Sequence, residues 1–192
     1  MFVEKGLAAT SVEDIAEAAG YTRGAFYSNF GGKAELLFEL LRRDDDRARA
    51  NLQGIMEGGT PDEMKERAIA YYSQYFLEHD CFALWIEATL LARRDTAFQE
   101  RLSDFRREKL DQVGAYVRMF SERNGRPLPL QADTLALGLV SLCDGVQFFR
   151  MCNPQMVGDK VMERLLAGVL SWVLWRQPEE KLCDEHRAGV PD

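Results

Sequence analysis

Thr10-Ser11-Val12-Glu13-Asp14-Ile15-Ala16-Glu17-Ala18-Ala19-Gly20-Tyr21-Thr22-Arg23-Gly24-Ala25-Phe26-Tyr27-Ser28-Asn29-Phe30 contains two helix starts and a helix stop. Its opening sets a hydroxyl residue three positions before a carboxylate, the capping-box arrangement that satisfies free amides at a helix start. Val12, Ile15, Ala16 and Ala19 then make one apolar stripe, and Gly20 is free to take the left-handed conformation that ends a helix. Thr22 caps a second short helix. In it Phe26 and Phe30 lie one turn apart and point inward, while Arg23 and Tyr27, also four apart, share another face with Gly24 nearby. Two helices across a tight glycine turn, the second presenting Arg, small residues and Tyr outward, have the geometry of a helix-turn-helix whose second helix enters the major groove. From spacing alone, an ordinary helical hairpin fits as well.

Beyond this stretch, breakers at Gly6, Gly31-Gly32, Gly58-Gly59-Thr60-Pro61, Asn124-Gly125-Arg126-Pro127-Leu128-Pro129, Asn153-Pro154 and Gln177-Pro178 punctuate segments with apolar residues at three-and-four spacing. β-branched alternation joined by tight Asn-Gly hairpins is missing, so an all-α fold is expected. The pattern predicts a helix ending before Gly6, short helices over 11–19 and 22–29, and longer ones over 33–57, 61–78, 82–92, 96–123, 130–152 and 155–176. Residues 179–192 form a polar tail expected to fray.

The length of 192 residues suits one sizeable domain or a small one fused to a medium one, and 46% hydrophobic with 29% charged residues excludes a disordered chain. A net charge of -7 argues against a uniform basic coat but leaves room for a local patch. Four cysteines (Cys81, Cys143, Cys152, Cys183) form no CxxC pair, and Glu4 and Lys5 follow Met1 at once, so a reducing cytoplasm is expected. No feature marks a reactive, low-pKa thiol. The stretch 130–149 holds Gln131, Asp133, Asp144 and Gln147, and the run 165–175 is short for a bilayer, so no membrane span is expected.

Enzymatic chemistry finds little support, because no P-loop, dinucleotide glycine pattern, nucleophile-base pair or metal constellation occurs. His79 and His186 are the two histidines and have no metal-ligand spacing, so neither metal nor cofactor is expected. His79-Asp80-Cys81 reads as a helix boundary. Asp44-Asp45-Asp46, among Arg42, Arg43, Arg47 and Arg49, reads as a solvated, mutually paired helix face.

The stretch from Thr10 to Leu37 resembles the DNA-binding domain of TetR-family transcriptional regulators. The resemblance lies in Ile15-Ala16, Ala19-Gly20, the Phe26-Tyr27 pair, Phe30 and the Lys33-Ala34-Glu35-Leu36-Leu37 opening of the next helix. It covers roughly residues 2–40, and the later helices agree with the family in number, length and order. It implies a DNA surface made of Thr10, Ser11, Thr22, Arg23, Gly24, Ala25, Tyr27, Ser28, Asn29 and Lys33. Arg23, Gly24 and Ala25 would face the groove, with Thr22, Tyr27 and Lys33 on phosphates. The chemistry agrees: Arg can fork onto guanine O6 and N7, Ala can touch a thymine methyl, and a lysine at a helix N-terminus attracts phosphate.

Asn29 stands where many relatives have His, and Gly32 where they have a capping residue. Only Phe2-Val3-Glu4-Lys5 precede Gly6, so the three-helix domain looks truncated in its first helix, leaving the Val12, Ile15, Phe26 and Phe30 cluster without a lid. Up to Lys33 the positive residues are Lys5, Arg23 and Lys33 and the negative ones Glu4, Glu13, Asp14 and Glu17, a net of -1 that is poor for a duplex-binding surface. Met1 is therefore expected to be internal to a longer natural chain; a chain that has lost DNA affinity is the other reading.

Residues 41–178 are expected to form a larger helical ligand-binding and dimerisation domain behind the DNA-binding residues 1–40. Leu135, Leu139, Leu142, Val146 and Phe149 make a stripe, and the last helix adds Val161, Leu165, Gly168, Val169 and Trp172. Helices apolar nearly all round need two neighbours, so a homodimer joined through these residues is expected, as the family resemblance also implies. Tyr71, Tyr75, Phe82, Trp85, Phe105, Tyr116, Met119 and Phe148 are the expected lining of a pocket for an unknown, hydrophobic small-molecule effector, although aromatics at helical spacing also suit a plain core. Asp144 would either fix a polar ligand or pair with Arg150 or a partner-subunit group. The expected function is a ligand-responsive regulator, a repressor binding double-stranded, palindromic operator DNA as a homodimer. The alternative is a helical small-molecule-binding or sequestering protein with a non-functional helix-turn-helix.

Overall fold

The computed structural model describes residues 1–78, 81–125 and 127–175. His79, Asp80 and the tail 179–192 lie outside the described residues, as does the side chain of Trp172. The described residues form helices α1 (Phe2–Ala9), α2 (Val12–Ala18), α3 (Arg23–Asn29), α4 (Lys33–Met56), α5 (Pro61–Glu78), α6 (Cys81–Ala92), α7 (Thr96–Asn124), α8 (Ala132–Cys152) and α9 (Asp159–Trp175), and the fold is all-α.

Local chemistry sets most boundaries. Asp95 caps α7 by accepting from the Phe98 amide at 3.0 Å, and Gly125 at φ 62° ends that helix in the left-handed region. Thr60 and Glu63 form a reciprocal capping box before α5. α1 was expected to end before Gly6; instead it kinks there, at φ 78°, and resumes through Ala9. α9 begins at Asp159 rather than near 155, because Asn153 takes the Met156 amide with both its backbone oxygen (3.0 Å) and its side-chain oxygen (3.2 Å), holding a turn.

The main core is built around α4. Leu37 and Leu41, one turn apart and fully buried, pack with Phe2 and Leu7 of α1, Leu84 and Ala88 of α6, and Phe98, Leu102 and Phe105 of α7. Each such leucine is stabilised by about 2 kcal/mol on burial. α4 runs unbroken across residues 40 and 41, and α1 contributes to the same core as α6 and α7.

Two expectations about charged and apolar faces need correction. Asp44 and Asp45 are not on a solvated face: both are buried, because they continue the inward stripe of Leu37, Leu41, Ala48 and Leu52. The stripe on α8 also points differently. Leu135 is buried against Val117 and Ala132 with Leu139 beside them, and Val146 is buried with Val157 and Met162, flanked by Leu142 and Leu165. These residues serve the chain's own core, which removes Leu135 and Val146 from any exposed interface. Of the residues expected at an interface, Phe149, Val161 and Gly168 are exposed and Val169 is half-buried, and Leu137, Phe148 and Met151 of α8 face outward as well. α8 is long and apolar enough to cross a membrane by length and composition, and it packs along α7.

Candidate nucleic-acid interface and cavity

The α2–α3 pair is held by its own caps. Ser11 Oγ accepts from the Asp14 amide and the Ser11 amide donates to Asp14 Oδ2, both at 3.0 Å. The hydrogen bonds from the Ser11 side chain and backbone hold the Asp14 carboxyl below its usual 3.8. Gly20, at φ 73°, ends α2, and the Tyr21 amide reaches back to the Ala16 carbonyl at 2.8 Å. Thr22 Oγ1 then accepts from the Ala25 amide at 3.1 Å to open α3. Phe26 is buried, 5.5 Å from the Phe30 ring and edge-on to Tyr27 at 5.4 Å, while Val12, Ile15 and Phe30 are half-buried.

Arg23, Gly24 and Tyr27 are exposed along one side of α3 and Ala25 is half-buried. The Arg23 guanidinium lies 5.6 Å from the Tyr27 ring and pairs at 2.7 Å with Glu13 of α2. Ser28 Oγ and Asn29 Nδ2 donate to the Gly24 and Ala25 carbonyls within α3, at 3.0 and 2.8 Å. Two expected contact residues are turned elsewhere. Thr10 is fully buried, with its hydroxyl on the Gly6 carbonyl at 2.8 Å. Lys33 Nζ donates to the carbonyls of Leu7 and Thr10 at 2.7 Å and of Ala8 at 3.4 Å, so its ammonium ties α4 to the end of α1.

A cavity of about 130 Å³ opens between α4, α5, α6, α7 and α8. Tyr75, Phe82 and Trp85 line it as expected residues, joined by Leu52, Tyr72, Val113, Leu139 and Val140. The other expected residues stand apart from it. Tyr71 packs behind Tyr72 and Tyr75, with ring centroids 5.4 and 5.7 Å away, and Phe105 stacks on Trp85 at 5.6 Å from the core side. Tyr116 and Met119 pack with Met56, Met64 and Phe120, and Phe148 is exposed.

The cavity also has a polar wall, of which the sequence reading singled out Asp144 and missed Asp45, Arg49, Lys109, Gln112 and Gln147. Asp45 meets Arg49 at 3.3 Å and Lys109 at 3.8 Å. Its neighbour Asp44 accepts from the Tyr75 hydroxyl. A signal for both was present, since each falls three or four residues from Leu41 and Ala48 on α4. Asp144 does not pair with Arg150, which binds Asp159 at 2.9 Å. Burial pushes the Asp144 carboxyl up, against the pull of Lys109 and Arg106. Burial likewise pushes the Cys81 and Cys143 thiols, both on the cavity wall, up to about 12, which keeps them protonated. Among the described residues no cluster of His, Cys, Asp and Glu is arranged to hold a metal ion.

Residues 1–40 match the family model described as "Bacterial regulatory proteins, tetR family". The transcriptional repressor KstR2 of Mycobacterium tuberculosis is 52% identical over 57 residues, which is 30% of this chain and 28% of that protein. Over residues 1–40, therefore, the chain is similar to TetR-family regulators. Its fold is that of TetR-family structures: a regulator from Rhodococcus sp. superposes with a TM-score of 0.72 over 90% of this chain and 92% of its own, at 19% identity. The SmeT–triclosan complex superposes at 0.69 over 90% and 86%, with 22% identity. Thus the match to KstR2 spans little more than a quarter of that relative's length, whereas the TetR-family helical architecture extends over nearly the whole chain.

Proposed function

We propose that this chain is a ligand-responsive TetR-family transcriptional regulator that binds operator DNA as a homodimer and acts as a repressor, as the name of KstR2 suggests. The observation that carries this reading is α3: a helix capped by Thr22, anchored by Phe26, with Arg23, Gly24 and Tyr27 facing solvent inside the family-matched segment. In this reading Arg23 reads a base edge, Ala25 touches a thymine methyl, and Ser11, Thr22, Tyr27, Ser28 and Asn29 position the duplex backbone. Residues 1–40 supply the DNA surface and residues 41–178 the effector cavity and dimer contacts.

α4 supplies a route between the two. Its first turn is tied to α1 through Lys33, and its second half contributes Asp45, Ala48, Arg49 and Leu52 to the cavity wall. A ligand that favours one placement of α4 would shift the balance between DNA-competent and incompetent arrangements. The complex of SmeT with triclosan supports a small-molecule effector for a protein of this fold.

Mobility shift against sequences selected from random duplex DNA tests the reading. Enrichment of a palindrome is expected, with Arg23→Ala losing about 1–3 kcal/mol of discrimination between operator and random DNA. The log of the affinity should fall by about 0.9 per contacted phosphate for each tenfold rise in salt. A second reading, a sequestering protein whose helix-turn-helix no longer holds DNA, draws on the Arg23–Glu13 pair, the engaged Lys33 and the net charge of -1 up to that residue. It predicts that selection enriches nothing.

A further inference from the structure

The charges around the cavity are unevenly satisfied, and the imbalance selects a ligand. Asp45, the buried carboxylate of the wall, has one oxygen held by Arg49 at 3.3 Å, while its other oxygen lies 3.8 Å from Lys109, beyond hydrogen-bond reach. Asp144 faces the cations Lys109 and Arg106. A ligand cation would therefore meet Asp45 already paired with Arg49, and Asp144 in the field of two cations. Lys109 is in the opposite position: its ammonium is three-quarters buried, stands 5.1 Å from the Trp85 ring and has Asp45 only at long range. An ammonium carries three donors, and burial raises the cost of leaving them loosely engaged.

Lys109, Trp85, Val140 and Asp144 are also shared with an adjoining opening of about 220 Å³, whose rim adds Arg106, Leu110, Leu137 and Ser141. The ammonium thus stands where the opening meets the apolar chamber. Inside, Leu52, Tyr72, Phe82, Val113 and Leu139 present rings and branched aliphatic groups. The chamber's 130 Å³ is close to the size, about 150 Å³, at which an apolar cavity takes benzene.

We propose that the cavity binds a single-ring aromatic carboxylate, with the ring among Tyr72, Phe82, Val113 and Leu139 and the carboxylate on Lys109 Nζ. The ligand class rests on the reading of this cavity as the effector site, but binding itself can be measured with no DNA present.

Calorimetric titration of the full chain with benzoate, benzamide and benzylammonium tests the assignment. Benzoate should bind at least about tenfold more tightly than benzamide, which keeps the ring and loses the charge, and benzylammonium should bind most weakly. Lys109→Met should remove the preference for benzoate while benzamide binding persists, and Lys109→Arg should restore it. Failure of benzoate to bind the unaltered chain, benzylammonium binding as tightly, or an undiminished preference in Lys109→Met would each overturn the proposal. A melting curve for each variant separates loss of the ammonium from loss of the fold. Absence of operator binding in a parallel mobility shift would sink the regulator reading and leave the ligand assignment standing.

Discussion

At the scale of single residues, Lys33 shows how a side chain expected on DNA serves the fold. Its ammonium supplies three backbone carbonyls at the α1–α2 junction, two of them at 2.7 Å, beside the fully buried Thr10. Lys33→Met removes the donor and keeps the stem, so urea unfolding should show a loss of about 1–3 kcal/mol. A purely phosphate-binding lysine would leave that midpoint unmoved. Asp14 gives a pH signature of its own. Hydrogen bonds from Ser11 hold its folded pKa below 3.8, so the stabilisation is present above the unfolded value and disappears as pH falls through the folded one. Circular dichroism from about pH 5 to about pH 2 should show helix lost from the wild type in a step that is absent in Asp14→Asn, which begins without the carboxylate. Ser11, Asp14 and Thr22 were legible in the sequence because a cap acts over three residues. Thr10 and Lys33 were not, since packing against α1 decides where they point; the Lys33 acceptor on Thr10 lies 23 residues away.

At the scale of elements, the three-and-four spacing located the long helices well, because each has an apolar stripe and a local stop signal. α4 and α7 end within a residue of their expected limits, and α5 at both expected ends. What periodicity leaves open is which neighbour covers each face. On α8 the stripe Leu135, Leu139, Leu142, Val146 was visible, yet only the packing of α7 and α9 assigns it to the chain's own core. The same gap hid Asp44 and Asp45: an unbroken run of carboxylates looks solvated, although the stripe through Leu41 and Ala48 passes between them. α4 is the element on which the fold depends most. Leu41→Ala should cost about 2–5 kcal/mol in chemical denaturation, because the void would open among α1, α6 and α7 at once. Asp95→Ala, which removes only the α7 cap, should cost about 1 kcal/mol.

At the scale of the whole molecule, the question is what covers the outward faces of α8 and α9. Once Leu135 and Val146 are assigned to the core, Phe148 and Phe149 are left 48% and 57% exposed, with Leu137 and Val161 also outside. Large apolar side chains grouped on one surface mark an association site. A two-fold pairing there would present two α3 helices to successive half-sites of an operator. The double variant Phe148→Ser, Phe149→Ser separates association from folding. Both rings are about half exposed in the single chain and lie edge-on to each other at 6.2 Å, so their loss should change the chain's intrinsic stability little, by about 0.5 kcal/mol. In sedimentation velocity the unaltered chain should run as a dimer and the variant as a monomer. Operator affinity should then fall by about a hundredfold or more, because the second half-site contact no longer follows from the first. A variant that sediments like the unaltered chain would place the dimer contact on another surface, and a monomeric variant with full operator affinity would show that one α3 suffices.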